Sequence, residues 1–265
     1  MHIAPAGYAG AMPALDPMML IAVAAIFVGG GIVKGAMGFG LPLVTIAILP
    51  FFLPVEAALA VNALVLLVTN LYQLHQSRSW RPAFQLAAPM LVGLVIATPL
   101  GAVLATQAPR TLVLGLLGAL IITFSTLQLA GLPRPAEGTP SQTPGRLRGF
   151  AIGIAAGIVG ALTSAPGPVF VMHFAAQRLA RPLFMGTLGL LMGCVGAVLA
   201  LSLAAAGVFD ENRLLLALVA MPAAFAGFAL GDRLGRRFSV EGFRKAVLVL
   251  LCLLGAAMIQ RALTA

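Results

Sequence analysis

Ten apolar runs follow one another along this chain, separated only by short polar gaps. They span roughly 17–37, 41–53, 56–75, 83–105, 110–130, 148–164, 168–178, 182–206, 213–231 and 242–263. A helix rises about 1.5 Å per residue, so about 20 apolar residues cross a hydrocarbon core of about 30 Å. Eight runs have that length, and no water-soluble fold hides so many. Charged residues make up 9% of the chain, against about 25% in a soluble domain. The mean hydropathy is +1.06. The runs are continuous rather than alternating, which excludes a transmembrane β-barrel. The predicted fold is an all-α integral membrane protein, multi-pass, in a cell inner membrane.

Two runs are too short to span. Segments 41–53 and 168–178 each follow a Gly/Pro break, GFGLP at 38–42 and SAPGP at 164–168. Each is the second run of its half. A shift of 126 residues carries Gly31, Ile32 and Val33 onto Gly157, Ile158 and Val159, and Pro42 onto Pro168. The expectation is two inverted-topology repeats of five segments each, with short broken or re-entrant helices in both halves. The units are an N-terminal tail at 1–16, a first repeat at 17–130, a linker at 131–147 and a second repeat at 148–265. The tail holds no Lys or Arg, unlike the basic start of a cleaved secretory signal.

The net charge of +9 does not indicate nucleic acid, because the basic residues sit in gaps between apolar runs. Arg78, Arg81, Arg134, Arg146, Arg148, Arg178, Arg181, Arg233, Arg236, Arg237, Arg244 and Lys245 fall in one set of loops. Arg110, Arg213 and Arg261 fall in the other. Positive loops stay cytoplasmic. The larger set, with the 131–147 linker, is therefore expected in the cytoplasm, and both termini outside.

Broken helices at matching positions of inverted repeats mark transporter sites near the bilayer midplane. Unpaired backbone groups in lipid cost several kcal/mol each, so a break needs protein or a water-lined cavity beside it. The helix that follows offers free N–H groups and a positive dipole end. Two such ends, at 40–43 and 167–170, are expected to approach each other and hold an anion. Alternatively, these glycines and prolines serve only close helix packing. Lys34 lies inside a run, four residues before Gly38. A charge there balances an anion or snorkels to the interface. Thr163 and Ser164 flank the second break and either donate to an oxyanion or bond back to helical carbonyls. Asn62, Thr69 and Asn70 share segment 56–75 and either line a path or tie helices together. His173, His75 and Glu56 read as structural. Cys194 and Cys252 lie inside apolar runs and read as packing residues rather than a disulfide or metal pair. No cofactor, metal site or catalytic group is expected. Ser164 and His173 have no carboxylate near them in sequence, as a hydrolase would need.

GGGIVKGAMGFGLPLVTIAILP at 29–50, LPVEAALAVNAL at 53–64 and GIAAGIVGALTSAPGPVFVMHFAAQRLARPLFMGT at 153–187 resemble the sulfite exporter TauE/SafE family of anion transporters. The likeness covers nearly the whole chain. It implies movement, usually outward, of sulfite or small organosulfur anions such as sulfonates. Carried over residue by residue, it falls on Gly35, Gly38, Phe39, Gly40 and Pro42, and on Gly167 and Pro168. Lys34 departs from it, since many members are glutamine-like there. SAPGP holds fewer glycines than many relatives have at that break. The expected substrate-binding set is Lys34, Gly38, Phe39, Gly40, Pro42, Asn62, Thr163, Ser164, Gly167 and Pro168. The expected partners are a small anion and the lipid bilayer, with a homo-oligomer left open. The alternatives are an anion channel, or uptake of a carboxylate or sulfur-containing anion.

Overall fold

The computed structural model describes residues 15–131, 145–175, 177, 179–237 and 240–264. The expected tail at 1–16 and linker at 131–147 lie almost wholly outside them. The described residues form helices and no strand. In chain order these are α1 Pro17–Met37, α2 Leu41–Ile48, α3 Val55–Ser77, α4 Trp80–Gln107, α5 Arg110–Leu129, α6 Arg146–Thr163, α7 Gly167–Ala175, α8 Arg181–Ala205, α9 Glu211–Arg237 and α10 Val240–Thr264. A 3-10 turn, Leu49–Phe51, continues α2. Among the described residues, eight helices are long and apolar enough to cross a membrane, and α2 and α7 are the short pair expected from sequence.

Local chemistry sets the boundaries. The Asp16 carboxylate caps α1 by accepting from the Met19 N–H at 2.7 Å, with Pro17 in the first turn. Asp210 caps α9 in the same way through Arg213 N–H at 2.8 Å. Several helices outrun their apolar cores. Arg81, Arg233, Arg244 and Lys245, expected in loops, lie instead within α4, α9 and α10. Long basic side chains reach water from a helix that continues past the hydrocarbon, so charge alone does not end it.

Glycine sets the packing. At Gly31, Gly35, Gly227 and Gly231 an added Cβ would overlap backbone of the facing helix, so α1 and α9 touch main chain to main chain. Val28 faces Gly227, Ile32 faces Gly231 and Ala36 faces Gly235, so the two helices run the same way. Helix α6 lies along α4 in the same manner, with Gly149 on Pro89, Gly153 on Met90 and Ile158 on Gly101. By contrast α3 and α8 run oppositely, Leu67 facing Gly196 and Ser77 facing Gly186. So do α5 and α10, where Gly118 meets Ile259 and Ile122 meets Gly255.

These directions gather the helix ends into two sets. The α3–α4 corner, the starts of α6, α8 and α10 and the end of α9 lie together, and they carry Arg78, Arg81, Arg148, Arg181, Arg233 and Arg244. The other end holds Arg110, Arg213, Arg261 and both ends of the described chain. There Arg213 pairs with Asp210 at 3.3 Å, and Arg261 donates to the Pro50 carbonyl at 2.9 Å over the Phe51 ring. The outer faces stay apolar: Val92, Val95, Ile96, Leu100, Val103 and Leu104 of α4 are all exposed, as lipid-facing residues are.

Candidate functional site

The two breaks have the same backbone form. Gly38 ends α1 at φ 84°, its N–H donating to the Lys34 carbonyl at 2.6 Å. Ser164 ends α6 at φ 50°. These positions are related by the same 126-residue shift that relates Pro42 to Pro168. A left-handed residue is free for glycine but uncommon for serine. The second break therefore has side-chain support. Thr163 Oγ1 accepts from Ala165 N–H at 3.0 Å and donates to the Val159 carbonyl at 2.6 Å. Ser164 Oγ donates to the Leu59 carbonyl of α3 at 3.5 Å. Both hydroxyls thus have protein partners.

Gly40 starts α2 at φ 106°, and Pro42 stands in its first turn. The N–H groups of Leu41 and Leu43 belong to that turn, which has no intrahelical acceptors for them. The breaks meet through an aromatic ring: Phe39 Cδ2 lies 3.8 Å from where a Gly167 Cβ would stand. The ring is buried and packs edge-on against Phe124 of α5, centroids 6.2 Å apart.

Lys34 is fully buried, and its Nζ donates to Asn70 Oδ1 at 2.6 Å. It does not snorkel. Asn70 in turn donates to the Leu66 carbonyl at 2.7 Å. One turn on, Gln73 donates to the Met185 carbonyl at 3.0 Å, while its buried Oε1 has no partner. Asn62 is also buried; it accepts from Thr45 Oγ1 at 2.5 Å and donates to the Ala58 carbonyl at 3.0 Å. Thr69 bonds back to the Val65 carbonyl, the helix-satisfied alternative. His173 contacts Gln177 and Phe174.

Two cavities open beside this cluster. One, of about 370 Å³, is lined by Lys34, Gly38, Gln73, Arg181, Met185 and Asp232 among others. The second, of about 400 Å³, reaches Phe39 and Val171 and is walled by Arg181, Gln128 and Arg244. Both have walls at the arginine-rich end, and Arg181 and Met185 belong to both. Of the expected residues, Lys34, Gly38 and Phe39 line these cavities, whereas Gly40, Pro42, Asn62, Thr163, Ser164, Gly167 and Pro168 line neither.

Sequence reasoning did not single out Thr45, Gln73, Arg181 or Met185 as site residues. One signal was available for part of this. The 126-residue shift sets Lys34 against Gly160, Thr45 against Val171, Asn62 against Leu188 and Asn70 against Gly196. The backbone break repeats in both halves, but these polar groups stand in the first half only. Replacing Gly40 by valine is expected to leave membrane insertion intact and abolish anion movement. The new side chain would crowd Val33 and strain a left-handed residue at the start of α2. Flux in proteoliposomes, beside a check that the purified variant remains monodisperse, measures this; wild-type flux would remove the first break from the site.

The sequence profile described as Sulfite exporter TauE/SafE matches residues 22–258 of the chain. No match was found among curated proteins or among solved structures.

Proposed function

The chain belongs to the sulfite exporter TauE/SafE family, and from that premise we propose that it is a secondary transporter of small oxyanions such as sulfite or organosulfonates. It is a multi-pass membrane protein. The observation that carries the reading is the meeting of two broken helices, Phe39 against Gly167, beside a buried lysine on a cavity wall. Broken backbone at membrane depth is tolerated where protein or a water-lined cavity satisfies it, and in secondary transporters such breaks form the substrate site. Lys34 supplies a full positive charge, and the start of α2 adds roughly half a charge with N–H donors. The breaks themselves hold no arginine, so recognition there rests on backbone donors and one ammonium rather than a bidentate guanidinium clamp, while Arg181 stands on the wall of both cavities. Such a site distinguishes the anionic head and tolerates variation in the tail.

An inverted repeat of two five-helix units, 17–130 and 148–265, underlies the reading. It is supported by α1, α3, α4 and α5 each running opposite to α6, α8, α9 and α10. The 126-residue shift also pairs the two breaks, Gly38 with Ser164, both in left-handed backbone. The arginine-rich end faces the cytoplasm of a cell inner membrane in this proposal, by the positive-inside rule, with both termini outside. The cavities then open inward, and the family points to outward transport. Catalysis has no part in the proposal.

The test is a flux panel in proteoliposomes with sulfite, alkanesulfonates, sulfate and carboxylates. Saturable flux of sulfite or sulfonates is the expected result. Flux linear in concentration would indicate a channel, and carboxylate transport alone would move the substrate class.

A further inference from the structure

Three buried side-chain polar atoms have no partner among the described residues: Gln73 Oε1, Ser125 Oγ and Arg213 Nε. Of these residues, Gln73 alone stands on the wall of either cavity, the one it shares with Lys34 and Arg181. Its amide orientation is fixed. Nε2 donates to the Met185 carbonyl at 3.0 Å, and the swapped amide would set two oxygens against each other there. The orphan atom is therefore an acceptor. Its polar neighbours on α3 are already engaged: Gln76 donates to Tyr72 Oη and Ser77 to the Leu74 carbonyl, both at 2.7 Å.

Packing does not require an amide at this place. The 126-residue shift sets Gln73 of α3 against Leu199 of α8, a leucine that is fully buried. A buried acceptor without a donor is costly, which an apolar side chain would avoid. The Met185 side chain lies against the same amide, its Sδ 3.9 Å from Nε2. It is unbranched and adaptable, and Met185 lines both cavities.

We propose that Gln73 Oε1 accepts a hydrogen bond from a hydroxyl of the substrate, so that the preferred anions carry a neutral donor two carbons from the charged head. This rests on the transporter reading above and names the substrate class within it. Asn70, which holds Lys34, and Gln73 lie three residues apart on α3, neighbours on one face with Cβ atoms about 5–6 Å apart. An oxyanion head at Lys34 brings a hydroxyl on its second carbon to Gln73, with the Met185 side chain moving aside. An ammonium in that place would stand on a wall where Lys34 and Arg181 outnumber Asp232. The contacts to the head accept a bare alkyl tail, and the amide adds a preference among tails.

The test is calorimetric binding of three sulfonates to the purified full-length protein. 2-Hydroxyethanesulfonate and propanesulfonate differ by a hydroxyl in place of a methyl group. 2-Methoxyethanesulfonate keeps the oxygen and loses the donor. Wild type is expected to bind the hydroxyl compound about tenfold more tightly than either of the others. Gln73→Leu is expected to bind propanesulfonate as wild type does and to lose the preference. Gln73→Met, which keeps the length of the side chain, is expected to behave alike and replaces Gln73→Leu should that variant not fold. Equal binding of all three compounds by wild type would overturn the hydroxyl contact and leave the transporter reading standing. So would methoxy binding as tight as hydroxyl binding, because the acceptor would then not be reading a donor. A preference retained in Gln73→Leu or Gln73→Met would overturn the assignment to Gln73. Absence of binding for every sulfonate would overturn both readings.

Discussion

Gly231→Val is expected to destabilise the protein by about 3 kcal/mol, near the upper end of what overpacking costs. A Cβ at Gly231 would overlap the carbonyl and Cα of Ile32, which are backbone atoms inside α1 and have no rotamer to yield. Helix α1 would have to move off α9. That seam positions Lys34, Gly38 and Phe39, so the site should be lost with it. Gly29→Ala serves as the control, because a Cβ there meets nothing within 4 Å. Thermal unfolding in detergent should separate the two: a clear fall in midpoint for Gly231→Val, and none for Gly29→Ala. An unchanged midpoint in Gly231→Val would mean that α1 and α9 do not pack as described.

Lys34→Gln is expected to weaken anion binding roughly tenfold to a hundredfold. A hydrogen bond to a charged partner contributes about 1.5–3 kcal/mol, and here the charge is removed. The fold should survive, since glutamine's shorter side chain still carries an amide donor and a buried charge imposes its own cost. Anion affinity and the unfolding midpoint should be measured together. Unaltered affinity would exclude Lys34 from the site, leaving the backbone donors of the breaks to carry it. A collapsed midpoint would show instead that the Lys34–Asn70 bond at 2.6 Å holds α1 to α3.

These two variants probe different levels of the molecule, and the levels differ in how far sequence reaches. The apolar runs, their order and the two short helices were legible from the chain alone. Lipid demands about 20 apolar residues per crossing and internally satisfied backbone, and both demands are local. The breaks at Gly38 and Ser164 were legible for the same reason: Gly and Pro act on their own residue and its neighbours. Their common left-handed form follows the 126-residue register already present in the sequence. Helix ends were less legible, because basic residues such as Arg81 and Arg233 reach water from inside a continuing helix.

Only the tertiary structure decided which helix lies on which. That α1 packs on α9 depends on small residues from segments nearly two hundred positions apart meeting face to face. It also decided the partners. Lys34 ends on Asn70 rather than at the interface, because its long side chain reaches the Asn70 amide of α3 inside the protein. Asn62 turns to Thr45 and away from both cavities. Phe39, placed by a local break, becomes the contact with Gly167 only once both halves are assembled. Local backbone chemistry fixed where the chain interrupts itself, while which interruptions and which charges share a site depended on packing between distant faces.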